Sequence, residues 1–259
     1  MLRIGHYLIC LCLIMSCVTN KKVQYLQYDD VNMKEITTDS IVRNYNLPDF
    51  EYRIQPQDVL SIDFESLTRD EYNFFSKAGT QGGSNNMNAT SAALSGDLVD
   101  DGGNIELPVV GKVKVAGLTV FEAQGHIQNL VKRYLQDPVV KVKIVNFRFT
   151  VLGEVNNENS ITTLNNRISL MEAIGLTGGF TDLADRSAVK LIRQKGGKTE
   201  VQYLNLLKED FLTSEYYYVH QNDLIVVPAL KQRPFRKYFG PNVALVISSL
   251  SLLFLILNL

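Results

Sequence analysis

The sequence predicts an α+β fold, on three observations. Short runs in which apolar and polar residues alternate, such as Val59 to Glu65 and Val140 to Ile144, have the period of two of a strand with one face buried. Thr119-x-x-Glu122 and Ser169-x-x-Glu172 are capping boxes, in which each side chain satisfies an orphan amide at a helix start, and each stands just ahead of an apolar helical stretch. Asp-Asp-Gly-Gly at 100–103 and Lys-Gly-Gly-Lys at 195–198 are hairpin turn signals between short strands.

With 259 residues, 46% hydrophobic and 20% charged, the chain has ordinary globular composition and room for about two domains. Its formal charge of -1 gives no global attraction for nucleic acid, and no nucleic-acid partner is expected. Residues 1–16, with Arg3, the apolar stretch Ile4 to Met15 and small Ser16, read as a signal peptide. All three cysteines fall in or next to it, and only Cys17 follows a small residue; Cys10 follows Ile9 and Cys12 follows Leu11. Ile14-Met15-Ser16-Cys17 resembles the lipobox of bacterial lipoproteins, which implies acylation at Cys17, with Ile14 where the usual box has leucine. A plain cleaved signal and an uncleaved anchor are the other readings. Acylation would leave no cysteine for a disulfide.

Residues 17–49 are polar and weakly periodic, as expected of a lipidated tether. The first domain, 50–146, opens with a turn at Gln55-Pro56-Gln57 and a strand whose Leu60, Ile62 and Phe64 face one side and Ser61, Asp63 and Glu65 the other. The Gly/Asn/Ser-rich stretch 79–95 reads as a surface loop; its glycines lack the strand before and the Lys-Ser/Thr after that a phosphate cradle needs. Two strands flank the Asp-Asp-Gly-Gly turn, Pro108 ends the second, and Lys112 to Val115 forms another. The capped helix that follows presents Val120, Ala123, Ile127, Leu130, Val131 and Tyr134 at spacings of three and four, and Val140, Val142 and Ile144 form a return strand.

A second domain, 147–230, begins with the strand FRFTVLGEV and a short strand after the turn at Asn156-Asn157. Its helix starts at the second capping box and stops at Gly178-Gly179, a hairpin turns at Lys195 to Lys198, and Pro228 closes the last strand, Leu224 to Val227. Gly197-Lys198-Thr199 echoes the end of a P-loop, but Ile192 stands where its first glycine must be.

Residues 231–259 form the last segment. Pro241 to Leu259 is a 19-residue apolar stretch, about 28 Å as a helix, which predicts a transmembrane helix. Lys231, Arg233, Arg236 and Lys237 precede it as interfacial cations for lipid phosphates, with aromatic Phe235, Tyr238 and Phe239. Ala244, Ser248, Ser251, Leu255 and Asn258 recur at four and three, a stripe suited to close helix packing or to a wet lumen. The competing reading is that the serines bond back to their own helix carbonyls.

Nothing in the sequence assembles an active site. His126 falls on the polar side of a helix, His220 precedes an Asn-Asp turn, and neither has a partner at metal-ligand spacing. Asp100-Asp101 and Glu209-Asp210 are adjacent pairs in turns rather than carboxylates facing each other across a sugar. No catalytic residue, metal or cofactor is expected.

The motifs taken together resemble the outer-membrane polysaccharide export proteins. YRIQPQDVLSI at 52–62, LVDDGGNIELPVVGKVKVAGLTVFEA at 98–123 and YLQDPVVKV at 134–142 resemble their export domain. FTVLGEV at 149–155, SLMEAIGLTGGFTDLADRSAVKLIR at 169–193 and NDLIVVP at 222–228 resemble their soluble-ligand-binding β-grasp domain. The resemblance implies a homo-oligomeric ring, octameric in the family, that passes capsular or exopolysaccharide from periplasm to cell surface. It also implies an outer-membrane lipoprotein with periplasmic domains and an inner-membrane polysaccharide co-polymerase or tyrosine kinase as partner. A non-pore, membrane-tethered glycan- or ligand-binding lipoprotein is the alternative, and an uncleaved inner-membrane scaffold is a third.

Overall fold

In the computed structural model, the residues described are 24–28, 41, 43–67, 75, 96–235 and 239–257. The expected signal peptide 1–16, Cys17 and the loop 79–95 lie outside them.

The α+β expectation holds. In the first unit, β1 (Val59–Glu65) is the middle strand of an antiparallel sheet, between β2 (Asp97–Leu98) and β5 (Val139–Ile144). The register sets Leu60 opposite Ile144, Ile62 opposite Val142 and Phe64 opposite Val140, so one face is apolar along its length. On the wet face Lys141 reaches Glu65 at 2.5 Å, and this partner pushes the lysine pKa up. β3 (Asn104–Leu107) and β4 (Gly111–Lys114) form a separate hairpin. Helix α1 (Val120–Val131) starts at the Thr119–Glu122 capping box, both halves of which are formed, and buries Ala123, Ile127 and Val131 over β5. Tyr134, expected on that face, is 46% exposed, because the helix ends before it.

The Asp100 to Gly103 turn forms, closed by Asp100 Oδ1, which accepts from Asn104 N at 2.7 Å. It does not make a hairpin of its flanking strands. β2 pairs with β1 and β3 with β4, so the turn passes the chain from one sheet to the other.

In the second unit a five-stranded sheet has the order β7–β6–β10–β8–β9. Its strands are β6 (Phe147–Gly153), β7 (Asn159–Thr163), β8 (Val189–Lys195), β9 (Lys198–Leu204) and β10 (Leu224–Val227). The central pair β6 and β10 is parallel and every other pair antiparallel. Helix α2 (Leu170–Leu176), opened by the Ser169–Glu172 capping box, lies between β7 and β8 in the chain. Lys195 pairs with Lys198, and the two glycines between them have φ of 57° and 75°, the left-handed pair that a tight two-residue hairpin needs.

One continuous core runs through both units. Tyr52 meets Phe147 edge to face at 5.8 Å, and Phe50 lies on Tyr218 at 4.9 Å. Asn146 joins the units by polar bonds. Its Oδ1 accepts from Val59 N at 2.8 Å, its Nδ2 donates to Gln57 O at 2.9 Å, and its carbonyl accepts from Gln221 Nε2 at 3.0 Å. The expected tether is not free where it is described. Residues 26 and 27 bond to the backbone of Leu206 and Leu207, and Arg43 pairs with Glu209 at 2.6 Å.

The C-terminal segment corrects an expectation. Among the described residues no helix is long and apolar enough to cross a membrane. Helix α3 (Gly240–Leu257) has 18 residues, about 27 Å, and its first three are Gly-Pro-Asn. The stretch after them is about 22 Å, short of the ~30 Å of a bilayer hydrocarbon core. The 19 residues from Pro241 to Leu259 include Pro241 and Asn242, which add no apolar length.

Candidate functional site

Two turns of the same design flank the junction between the units. In Gln55-Pro56-Gln57-Asp58 and His220-Gln221-Asn222-Asp223 the third residue has a left-handed φ, 72° and 62° respectively. The closing aspartate accepts from the amide three residues earlier, at 2.8 Å in both. Each turn then feeds a strand, β1 or β10. Asp58 is buried against the Tyr52 hydroxyl, which donates at 2.8 Å. Burial raises the Asp58 pKa, opposed by the Gln55 amide and by Tyr52; burial and the neighbouring Asp58 carboxylate push the Tyr52 phenol well up. Asp223 meets Arg193 in a fork, 2.9 Å from Nε and 2.7 Å from Nη2, and Arg193 Nη2 also donates to Tyr218 O at 3.0 Å. Burial raises the Asp223 pKa and the Arg193 charge opposes it.

Sequence reasoning missed the Arg193–Asp223 pair, though a signal was present. Val189, Leu191 and Arg193 share one face of β8, and a cation at a core register must find a partner. His220 packs edge-on to Phe50 at 5.5 Å, and burial, with Arg193 and Lys195 nearby, lowers its pKa to about 4. The imidazole is therefore neutral in the fold near neutrality, while the unfolded chain protonates it near 6.5. Stability from this group is present above pH 6.5 and lost as pH falls toward 4. With its partial exposure discounted, the loss is about 2 kcal/mol. Urea unfolding at pH 7 and pH 4.5 checks this, and His220→Gln is expected to remove that part of the slope.

These groups are structural rather than reactive: Asp58 and Asp223 are each 1% exposed and face their own turns. Among the described residues no group of three His, Cys, Asp or Glu could hold a metal ion. His126 is exposed on α1, and Glu209 is engaged by Arg43 and by the Tyr45 hydroxyl at 3.0 Å. Between the units lies a cleft of about 620 Å³ lined by Asp49, Phe50, Glu51, Phe121 and Arg167. Phe121 is 83% exposed, and the Arg167 guanidinium stacks on Tyr218 at 5.1 Å.

The second feature is the root of α3. Arg233, expected as an interfacial cation, instead forms an ion pair with Glu154, which also accepts from Thr181 Oγ1 at 2.6 Å. Leu230 N donates to Leu183 O at 2.8 Å, so the chain is docked on the second unit up to this point. Lys231 is exposed, while Arg236 and Lys237 lie outside the described residues. On α3, Leu245, Val246, Ile247, Leu250, Leu252 and Ile256 are each more than half exposed. The stripe serines bond inward: Ser248 Oγ donates to Leu245 O at 2.9 Å and Ser251 Oγ to Ser248 O at 2.8 Å. Ala244 and Leu255 fall within the helix, and Asn258 lies outside the described residues.

Residues 47–145 match the family described as polysaccharide biosynthesis/export protein, and residues 148–202 match the SLBB domain. The chain is 32% identical over 153 residues to the EPS I polysaccharide export outer membrane protein EpsA of Ralstonia nicotianae. It is 32% identical over 109 residues to the protein of the same name from Ralstonia solanacearum. These matches take in 57% and 40% of this chain, and 39% and 28% of the relatives.

Proposed function

Because this chain belongs to the polysaccharide biosynthesis/export family, we propose that it is an outer-membrane translocon subunit. It passes capsular or exopolysaccharide from periplasm to cell surface as one copy in a ring. Acylation of Cys17 anchors it, its folded units stand in the periplasm, and an inner-membrane co-polymerase or tyrosine kinase delivers the polymer.

The observation that carries this reading is the export-family match followed directly by the SLBB match, ahead of a helix whose apolar residues are uncovered. The sheet order of the second unit, second-first-fifth-third-fourth strand with the helix between the second and third, supports a β-grasp domain. A helix whose exposed surface is mostly apolar is covered by lipid or by copies of itself. Copies of α3 packed on one another in the ring would supply that cover. Ser248 and Ser251 bond back to their own helix carbonyls, as the competing reading expects, so any part played by the stripe at Ala244, Ser248, Ser251, Leu255 and Asn258 rests on the small side chains of its alanine and serines, which let helices approach closely. Lys231, with Arg236 and Lys237, faces lipid phosphates.

Particle imaging of the detergent-extracted full chain tests the proposal. A ring is expected; a monomer sinks the ring and favours a non-pore glycan-binding lipoprotein. Ser248→Leu with Ser251→Leu is expected to leave the protein in membranes while the ring fraction falls about tenfold, the equivalent of about 1.4 kcal/mol of helix contact. Size-exclusion chromatography in detergent reads this out.

A further inference from the structure

The stretch ahead of the first unit docks on the second. Leu26 N donates to Leu206 O at 3.3 Å, Gln27 N to Leu207 O at 2.5 Å, and Glu209 N to Gln27 O at 3.2 Å, a parallel bridge that pairs Gln27 with Lys208. Tyr25 stacks on Phe180 at 5.6 Å, and the Arg186 guanidinium lies 4.5 Å from the Tyr25 ring and 5.3 Å from the Phe180 ring. Arg186 is 6% exposed, and its Nε has no hydrogen-bond partner among the described residues. The two ring faces are therefore the electrostatic cover of a buried cation. Further along, Arg43 lies over Tyr28 at 4.4 Å and forks onto Glu209.

The position of this contact matters more than its strength. β6 and β10 run in parallel away from the Asn146 junction, and seven residues of β6 carry the chain roughly 20 Å from it. At that far end Glu154 pairs with Arg233, and Phe180 and Arg233 line one cleft of about 630 Å³. The residues that lead toward Cys17 and those that lead into α3 thus leave the second unit at one end. Tyr25 is eight residues from Cys17, a reach of at most about 28 Å.

We propose that residues 24–28 and 43–45 form a strap, latched by Tyr25 on Phe180 and Arg186, that sets the far end of the second unit against a bilayer surface and holds the first unit away from it. The bilayer contact rests on the membrane-anchored reading given under the proposed function; the strap does not.

Two measurements separate them. In the full chain, Gln27→Cys with Lys208→Cys is expected to cross-link under mild oxidation, and Tyr25→Ala to slow that cross-link at least tenfold. Absence of the cross-link, or a rate that Tyr25→Ala leaves unchanged, overturns the strap whether or not the protein is anchored. In phosphatidylethanolamine/phosphatidylglycerol liposomes, a dye on Asp182→Cys is expected to be quenched by headgroup-labelled lipid several-fold more than one on Glu106→Cys. Equal or reversed quenching in a liposome-bound chain overturns the orientation. A chain that cross-links yet stays off liposomes overturns the bilayer contact, and the anchored reading fails with it.

Discussion

Arg193→Met is expected to lower the unfolding free energy by about 3–5 kcal/mol, the cost of leaving a buried charge without its partner. Asp223 has a fully buried side chain and Arg193 is 8% exposed, so solvent cannot replace the lost guanidinium. The damage extends past the pair. Tyr218 O loses its donor, and Asp223 also holds the His220 amide that closes the turn into β10. Arg193→Met combined with Asp223→Asn removes the stranded charge and keeps an acceptor for that amide, so about half of the loss is expected to return. Urea denaturation of the two variants beside the parent decides it. Equal losses would mean that packing, not charge, governs the site.

The second large effect is expected at Gly153. Its φ is +97°, and a Cβ there would lie 2.1 Å from Val227 O, the same oxygen that accepts from Glu154 N at 3.0 Å. Neither the backbone carbonyl nor the parallel ladder can give way cheaply. Gly153→Ala is expected to cost about 3 kcal/mol or more, lowering Tm by about 10 °C. Gly196→Ala is the control, since Gly196 also has positive φ, 57°, but nothing lies within 4 Å of its added carbon. Its cost is expected to be about 1–2 kcal/mol, the backbone penalty alone. Differential scanning calorimetry of both variants separates clash from conformation.

What was legible in the sequence is what is local in physics. The alternation in β1 and β5 and the two capping boxes depend on residues within a few positions of one another, and the structure places them as read. The partner of a strand is not local. The turn at 100–103 forms from its own residues, yet the strands on either side pair elsewhere, and no residue in the turn encodes that choice. The parallel pairing of β6 with β10 joins segments about 70 residues apart, and the Tyr25 contact with Phe180 joins segments about 150 apart. Tyr25, Leu26 and Tyr28 form too short a run to set a period, so the docking of the strap left no pattern to find. For α3 the apolar character was legible, but the span was not, because Gly240, Pro241 and Asn242 take part in the helix without adding apolar length.

The Asn146 clasp has a mechanical consequence. A chain of two units joined by two residues between strands would ordinarily bend at the joint. Here one side chain grips the turn before β1 while its own carbonyl is gripped from the turn before β10, and an aromatic contact fills the space behind them. Bending would have to break both turns together. The joint is therefore expected to resist bending, so that a force on the α1 side turns both units together.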